Sequence, residues 1–201
     1  MKWRIKESIT RFAGFFQMVE YHFEHETFRG GRIDIQREVF ERGTAAAVLA
    51  YDPDRDAVVL VEQFRSGAHR WHRGAWVTEL IAGIVEKGEQ AREVVAREAL
   101  EEAGCELSQI SQVAHYLTSP GGSTEELTLF VAICDSQNLP EYAGLESEGE
   151  DIRVCIKPRL EWLQELERGE IDNAMTLIAA QWLALHGEKW RENNFIWSVS
   201  I

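Results

Sequence analysis

Residues 83–105, GIVEKGEQAREVVAREALEEAGC, constrain this chain more than any other stretch. Val77–Ala82 reads as an extended apolar run, Gly83 opens a loop, and the spacing predicts a helix over 90–103 closed by Gly104. A strand that feeds a helix through a glycine loop is the unit of an α/β fold. On that helix Glu98 and Glu102 stand one turn apart with Glu101 beside them, so three carboxylates converge on one patch. Like charges at this spacing repel and weaken the helix that carries them. Such a cluster suggests a hard divalent cation rather than a merely solvated face. Mg2+ and Mn2+ prefer carboxylate and carbonyl oxygens, and Mg2+ usually shares them with substrate phosphates.

The surrounding pattern fixes the architecture. Residues 15–28 and 32–40 alternate apolar and polar around Gly30-Gly31, which predicts a hairpin in a small N-terminal antiparallel β unit over 1–42. From 43 onward the chain reads as a second domain, 43–201. Strands are expected at 45–51, 57–64, 77–82, 112–117, 127–134 and 152–156, with a turn at Asp52-Pro53-Asp54. Pro158 starts a helix ended by Gly169, and 171–186 forms the last one. Met175, Ile178, Ala179, Trp182 and Leu185 recur at helical spacing as a core-facing stripe, and Asp172-Asn173 look like caps. Strand-rich sequence with helices set between and after it indicates an α/β/α sandwich with a mixed sheet.

Charge narrows the partners. The formal net charge of −13 argues against nucleic acid or an anionic membrane surface. An acidic protein with an anionic substrate needs a local change of sign, which bound metal would supply. Cys105, Cys134 and Cys155 form neither a CxxC pair nor a zinc pattern, and are expected as reduced thiols. No apolar run approaches membrane-spanning length, so a cytoplasmic protein is expected. The six histidines show no metal spacing.

The 83–105 segment resembles the signature of the Nudix hydrolases, G-x5-E-x7-R-E-U-x-E-E-x-G-U, where U is a bulky apolar residue. Gly83, Glu89, Arg97, Glu98, Glu101, Glu102 and Gly104 meet every fixed position, while Ala99 and Cys105 are unusual at the two U positions. The resemblance implies the Nudix fold and cleavage of a nucleoside diphosphate linked to another group. From Phe15 to Trp182 the chain is similar to the bacterial ADP-ribose pyrophosphatases. Their proline beyond the box corresponds to Pro120, fifteen residues after Cys105, in Ser119-Pro120-Gly121-Gly122-Ser123-Thr124-Glu125. SPGG alone is a common turn. In this family it approaches the ligand, with Glu125 suited to ribose hydroxyls.

The same resemblance implies the other site residues. Phe15 and Phe16 would supply a ring that stacks on adenine from the partner subunit, although adjacent aromatics are more often core. Arg37, Glu38 and Arg65 would contact the nucleotide and diphosphate, against an even chance of surface ion pairs. Ala82 would offer a carbonyl to metal and Ile84 would touch substrate. Arg97 and Glu89 would brace the loop against the helix. In the acidic loop GLESEGED, 144–151, Glu148 would be the general base and Glu150 a further metal ligand. Glu146 competes for these loop roles, and Glu98 and Glu101 remain rival bases. Two or three Mg2+ ions, or Mn2+ in their place, are implied, bound by Ala82, Glu98, Glu101, Glu102 and Glu150. A homodimer that exchanges its N-terminal unit is also implied.

ADP-ribose, cleaved to AMP and ribose 5-phosphate, is the expected substrate. GDP-mannose or another nucleoside diphosphate sugar is the alternative. A nucleotide-sensing module without catalysis is the reading from a different class. Against it stand the full set of box glutamates and the lack of a basic DNA-binding segment.

Overall fold

A computed structural model describes residues 1–197, with Glu148 described by its backbone only. Two compact units emerge. One comprises 1–44 with 116–127, and the other 45–115 with 128–197.

The first unit is built on a three-stranded antiparallel sheet in the order β1-β2-β3, with β1 at Trp3–Ala13, β2 at Gln17–Glu26 and β3 at Arg32–Glu41. The hairpin of β2 and β3 matches the expected one, and Gly30 and Gly31 take the positive φ angles its turn requires. Strand β1 was not expected from sequence. The expected strand start at 15 also moves: Phe15 and Phe16 lie in the bend between β1 and β2, where Gly14 N donates to Phe16 O at 2.9 Å.

The second unit carries most of an eight-stranded mixed sheet in the order β10-β11-β5-β4-β9-β8. Its strands are β4 (Thr44–Asp52), β5 (Ala57–Phe64), β6 (Trp76–Glu79), β7 (Ile81–Val85), β8 (Ser108–Leu117), β9 (Glu126–Ile133), β10 (Tyr142–Ala143) and β11 (Ile152–Pro158). The helices are α1 (Ala91–Ala103), α2 (Arg159–Glu167) and α3 (Ala174–Glu192). Ala46–Tyr51 in β4 are all essentially inaccessible, the mark of a strand covered on both faces. Strand β5 divides its pairing. Its first half, Ala57–Val59, meets β4, and its second half, Val61–Phe64, meets β6. Strand β7 pairs instead with β4.

Val94, Val95, Ala99 and Ala103 of α1 pack with Val48, Ala50, Val59, Val61 and Ile81 of the sheet. Ala99 and Cys105, the two unusual positions of the signature, are fully buried in this cluster. Small side chains suit a helix pressed closely onto a sheet. Gly104 ends α1 at φ 61°, and a Cβ there would meet Pro140 Cδ at 2.9 Å, so glycine satisfies both the backbone and the space. On α3 the expected core stripe holds at Met175, Ala179 and Trp182 but fails at Leu185, which is 77% exposed. Leu183, Gly187 and Trp190 are buried in its stead. Among the described residues no helix is long and apolar enough to cross a membrane.

Candidate active site

Helix α1 presents its carboxylates through the packing just described: Val94, Val95, Ala99 and Ala103 hold one side of the helix on the sheet. Glu102 is 2% exposed, and its Oε2 accepts from Ala82 N at 3.1 Å while Oε1 accepts from Gln63 Nε2 at 3.3 Å. Glu98 packs so tightly over Gly83 that any Cβ at that position would overlap its carboxylate. This is a physical reason for glycine at the first signature position. Arg97 Nη1 lies 2.9 Å from Glu98 Oε1 and 2.7 Å from Glu101 Oε2. Glu89 Oε2 accepts from Glu86 N at 2.9 Å and acts on Arg97 through its charge.

Arg97 offsets part of the charge at Glu98 and Glu101, while Glu102 has no cation in contact among the described residues. Burial pushes the Glu102 carboxyl up to about 8; the Ala82 N–H and Arg65 pull against this, while Glu98 and Glu150 reinforce it. Burial also raises Glu98, with Arg97 opposing and Glu101 and Glu150 adding repulsion. Gly144 N donates to Glu101 O at 3.1 Å, which places the acidic loop beside α1. Glu150 Oε2 accepts from Leu145 N at 3.0 Å, and a Cβ at Gly144 would meet Glu150 Cβ at 2.9 Å. The side chain of Glu148 lies outside the described residues.

A hard divalent cation fits this donor set. The oxygens are carboxylates, they are partly desolvated, and their raised proton affinity is relieved by added positive charge. Among the described residues no three His, Cys, Asp or Glu side chains already stand in coordinating positions. Glu98 and Glu101 are turned to Arg97, and Glu102 to Ala82 N and Gln63.

Arg65 follows β5. Its Nε donates to Glu79 Oε1 at 2.5 Å, and it lines a cavity of about 460 Å³ with Arg70, Trp71, Val77 and Asn173. Ile84, 40% exposed, lies on β7 two residues from Ala82. Gln63 and Glu79 were not singled out from sequence. Each is a buried polar side chain within an apolar strand pattern, and that was the available signal.

The other expected residues belong to the first unit. Phe16 meets Phe40 edge-to-face at 5.1 Å and Phe15 at 4.6 Å, with Phe15 87% exposed. Arg42, also missed from sequence, sets its guanidinium 4.4 Å from the Phe16 ring centre and its Nε 3.3 Å from Glu125 Oε1. The Ser119–Glu125 turn is fastened to the end of β3. Phe40 N donates to Gly122 O at 2.8 Å, and Thr124 N to Phe40 O at 3.1 Å. Ser119 O accepts from Gly122 N and Ser123 N, while Pro120 and Gly121 form the exposed crest. Arg37 and Glu38 are exposed neighbours on β3, with Arg37 Nη1 donating to Gln36 O at 2.7 Å.

Comparison with known proteins follows from this geometry. Residues 41–185 match the NUDIX domain, and the chain belongs to the Nudix family. It is 43% identical over 178 residues to the ADP-ribose pyrophosphatase of Escherichia coli strain K12, covering 88% of this chain and 85% of that one. The ADP-ribose pyrophosphatase of Haemophilus influenzae is 41% identical over 181 residues, covering 88% and 83%. The GDP-mannose pyrophosphatase of Cronobacter sakazakii is 36% identical over 156 residues, covering 76% and 79%.

Proposed function

We propose that this protein hydrolyses the diphosphate bond of ADP-ribose, giving AMP and ribose 5-phosphate. The observation that carries the reading is Glu98 packed over Gly83 with Glu102 buried beside Ala82, in a chain 43% identical to an ADP-ribose pyrophosphatase. Glu98, Glu102 and the Ala82 carbonyl would hold divalent cation, two or three Mg2+ or Mn2+ ions, with Glu101 and Glu150 as further ligands. Cation held there would offset diphosphate charge and lower the pKa of bound water.

The chain's own groups do the rest. Glu148 accepts the proton of the attacking water on its carboxylate. Arg65 orients the diphosphate through its guanidinium donors. Phe16, steadied by Phe40 and Arg42, offers a ring face to the base, with Phe15, Arg37 and Glu38 alongside. Ser119, Pro120, Gly121 and Glu125 border the ribose, and Ile84 provides apolar contact.

The N-terminal unit, 1–42, is assigned to homodimerisation. Trp3 on β1, 68% exposed, and Phe28 in the turn between β2 and β3, 97% exposed, are large apolar groups left uncovered. The cytoplasm suits three thiols outside any disulfide. Measuring product release from ADP-ribose, GDP-mannose, NADH and diadenosine polyphosphates, with Mg2+ and with chelator, tests the reading. ADP-ribose is expected to be cleaved fastest and chelator to stop it. Slow ADP-ribose turnover beside fast turnover of GDP-mannose would move the chain to the other subgroup.

A further inference from the structure

Glu79 ends β6 with 1% of its surface exposed, and its carboxylate is surrounded by donors. Arg65 Nε reaches Oε1 at 2.5 Å and Asn173 Nδ2 reaches Oε2 at 2.8 Å. Gln63 favours the charged form of Glu79, and Gln63 Nε2 reaches Glu102 Oε1 at 3.3 Å. The orientation of Asn173 is itself determined. It caps α3, with Oδ1 accepting from Met175 N at 3.1 Å and Thr176 N at 3.3 Å, so its amide nitrogen must face the other way, onto Glu79.

This relay ends in a guanidinium only partly used. Arg65 commits Nε to Glu79, while Nη1 and Nη2 take no partner among the described residues, and the side chain is 42% exposed beside the cavity. An arginine anchored by Nε keeps its two-nitrogen end free, which is the end that matches a pair of phosphate oxygens. Stabilisation alone is a poor account of the arrangement. Burying one carboxylate to hold a half-exposed arginine gains little over an apolar side chain of similar volume.

We propose that Glu79 and Asn173 are positioning residues that aim Arg65, so that its free Nη donors meet the substrate diphosphate. The inference rests on the role assigned to Arg65 above and deepens it. Without Glu79 the arginine keeps its charge but loses its fixed direction, so substrate capture suffers more than the chemical step.

Steady-state kinetics of the full chain with Mg2+ test this. Glu79→Gln is expected to raise KM for ADP-ribose about tenfold, the scale of one charge-assisted hydrogen bond, and to change kcat and the Mg2+ half-activation point little. Asn173→Ser keeps a capping oxygen and removes only the donor to Glu79. It should raise KM by roughly threefold and carries the test alone if Glu79→Gln does not fold. In an Arg65→Ala background, Glu79→Gln should add nothing to KM, because its target is gone. Wild-type KM in these variants, or Glu79 and Arg65 effects that multiply independently, would overturn the proposal. A fall in thermal stability with KM unmoved would overturn it too, leaving Glu79 a core group. Failure of the wild type to cleave ADP-ribose would sink the substrate reading instead. The same cycle would then be run on whichever nucleoside diphosphate sugar is cleaved.

Discussion

Asp52 and Glu102 are both carboxylates shut away from solvent in the second unit, at 1% and 2% exposure, yet their surroundings differ in kind. At Asp52 burial alone would raise the pKa, but four donors outweigh it. These are Ser136 Oγ at 2.5 Å, Ser136 N at 2.8 Å, Asp54 N at 2.9 Å and Arg55 N at 3.1 Å, and the group ends below its ordinary value. Glu102 has two donors, and Glu98 and Glu150 crowd it with like charge. One carboxylate is satisfied by the fold and holds a turn. The other is left with fewer donors among like charges. A buried charge that its own chain does not satisfy is a better guide to function than burial or acidity alone.

The largest expected effect separates gathering charge from moving a proton. Glu148→Gln should lower kcat by about 10^2–10^4-fold with the Mg2+ half-activation point unmoved, because it would remove the proposed base and leave Glu98 and Glu102 in place. Wild-type-like turnover would take Glu148 out of that role and return it to Glu98 or Glu101.

Glu102→Gln should invert the usual bargain between activity and stability. Half-activation should need on the order of 10–100 times more Mg2+. In chelator at pH 8 the variant should unfold at a higher temperature than wild type. The sign follows from a folded pKa raised to about 8: ionising Glu102 costs the fold stability as pH rises from near 4.5, and glutamine escapes that cost, on the order of 1–4 kcal/mol. A metal-free variant no more stable than wild type would mean that the site is less strained than its geometry indicates.

These contrasts were unevenly legible in the sequence. Glu98, Glu101 and Glu102 share one helix, so their meeting follows from helical spacing alone. Gln63, Glu79 and Asn173 come from β5, β6 and α3, with partners 39 and 94 residues apart, and no local period announces them. Strand β1 escaped for another reason. Nearly all of its residues are exposed, so no buried face writes an alternation into WRIKESITRFA, and its pairing with β2 defines it. Leu185 misled because an i, i+3 stripe from Trp182 is only one continuation. Leu183, Gly187 and Trp190 take the buried side instead.

Phe16→Ala carries the comparison to the first unit, where binding rather than charge is at stake. Losing the proposed base platform should raise KM about tenfold, with kcat and Mg2+ demand unchanged. Equal effects on KM and kcat would mean that the ring steadies the Ser119–Glu125 turn through Phe40 instead of meeting the base.

Asp52→Asn should have the smallest effect on catalysis and the opposite signature to Glu102→Gln. Asparagine keeps one acceptor but cannot satisfy four donors, so stability at neutral pH should fall by about 1–3 kcal/mol while kcat and KM stay put. The folded pKa of Asp52 is depressed, so its contribution is fully present above the unfolded value near 3.9 and fades as pH falls through the folded one. Unfolding curves of wild type and variant should therefore converge only below about pH 4, as the carboxylate is protonated and the Ser136 bonds weaken. Convergence already at pH 6 would mean that Asp52 is no better satisfied than Glu102, and the contrast between the two would be lost.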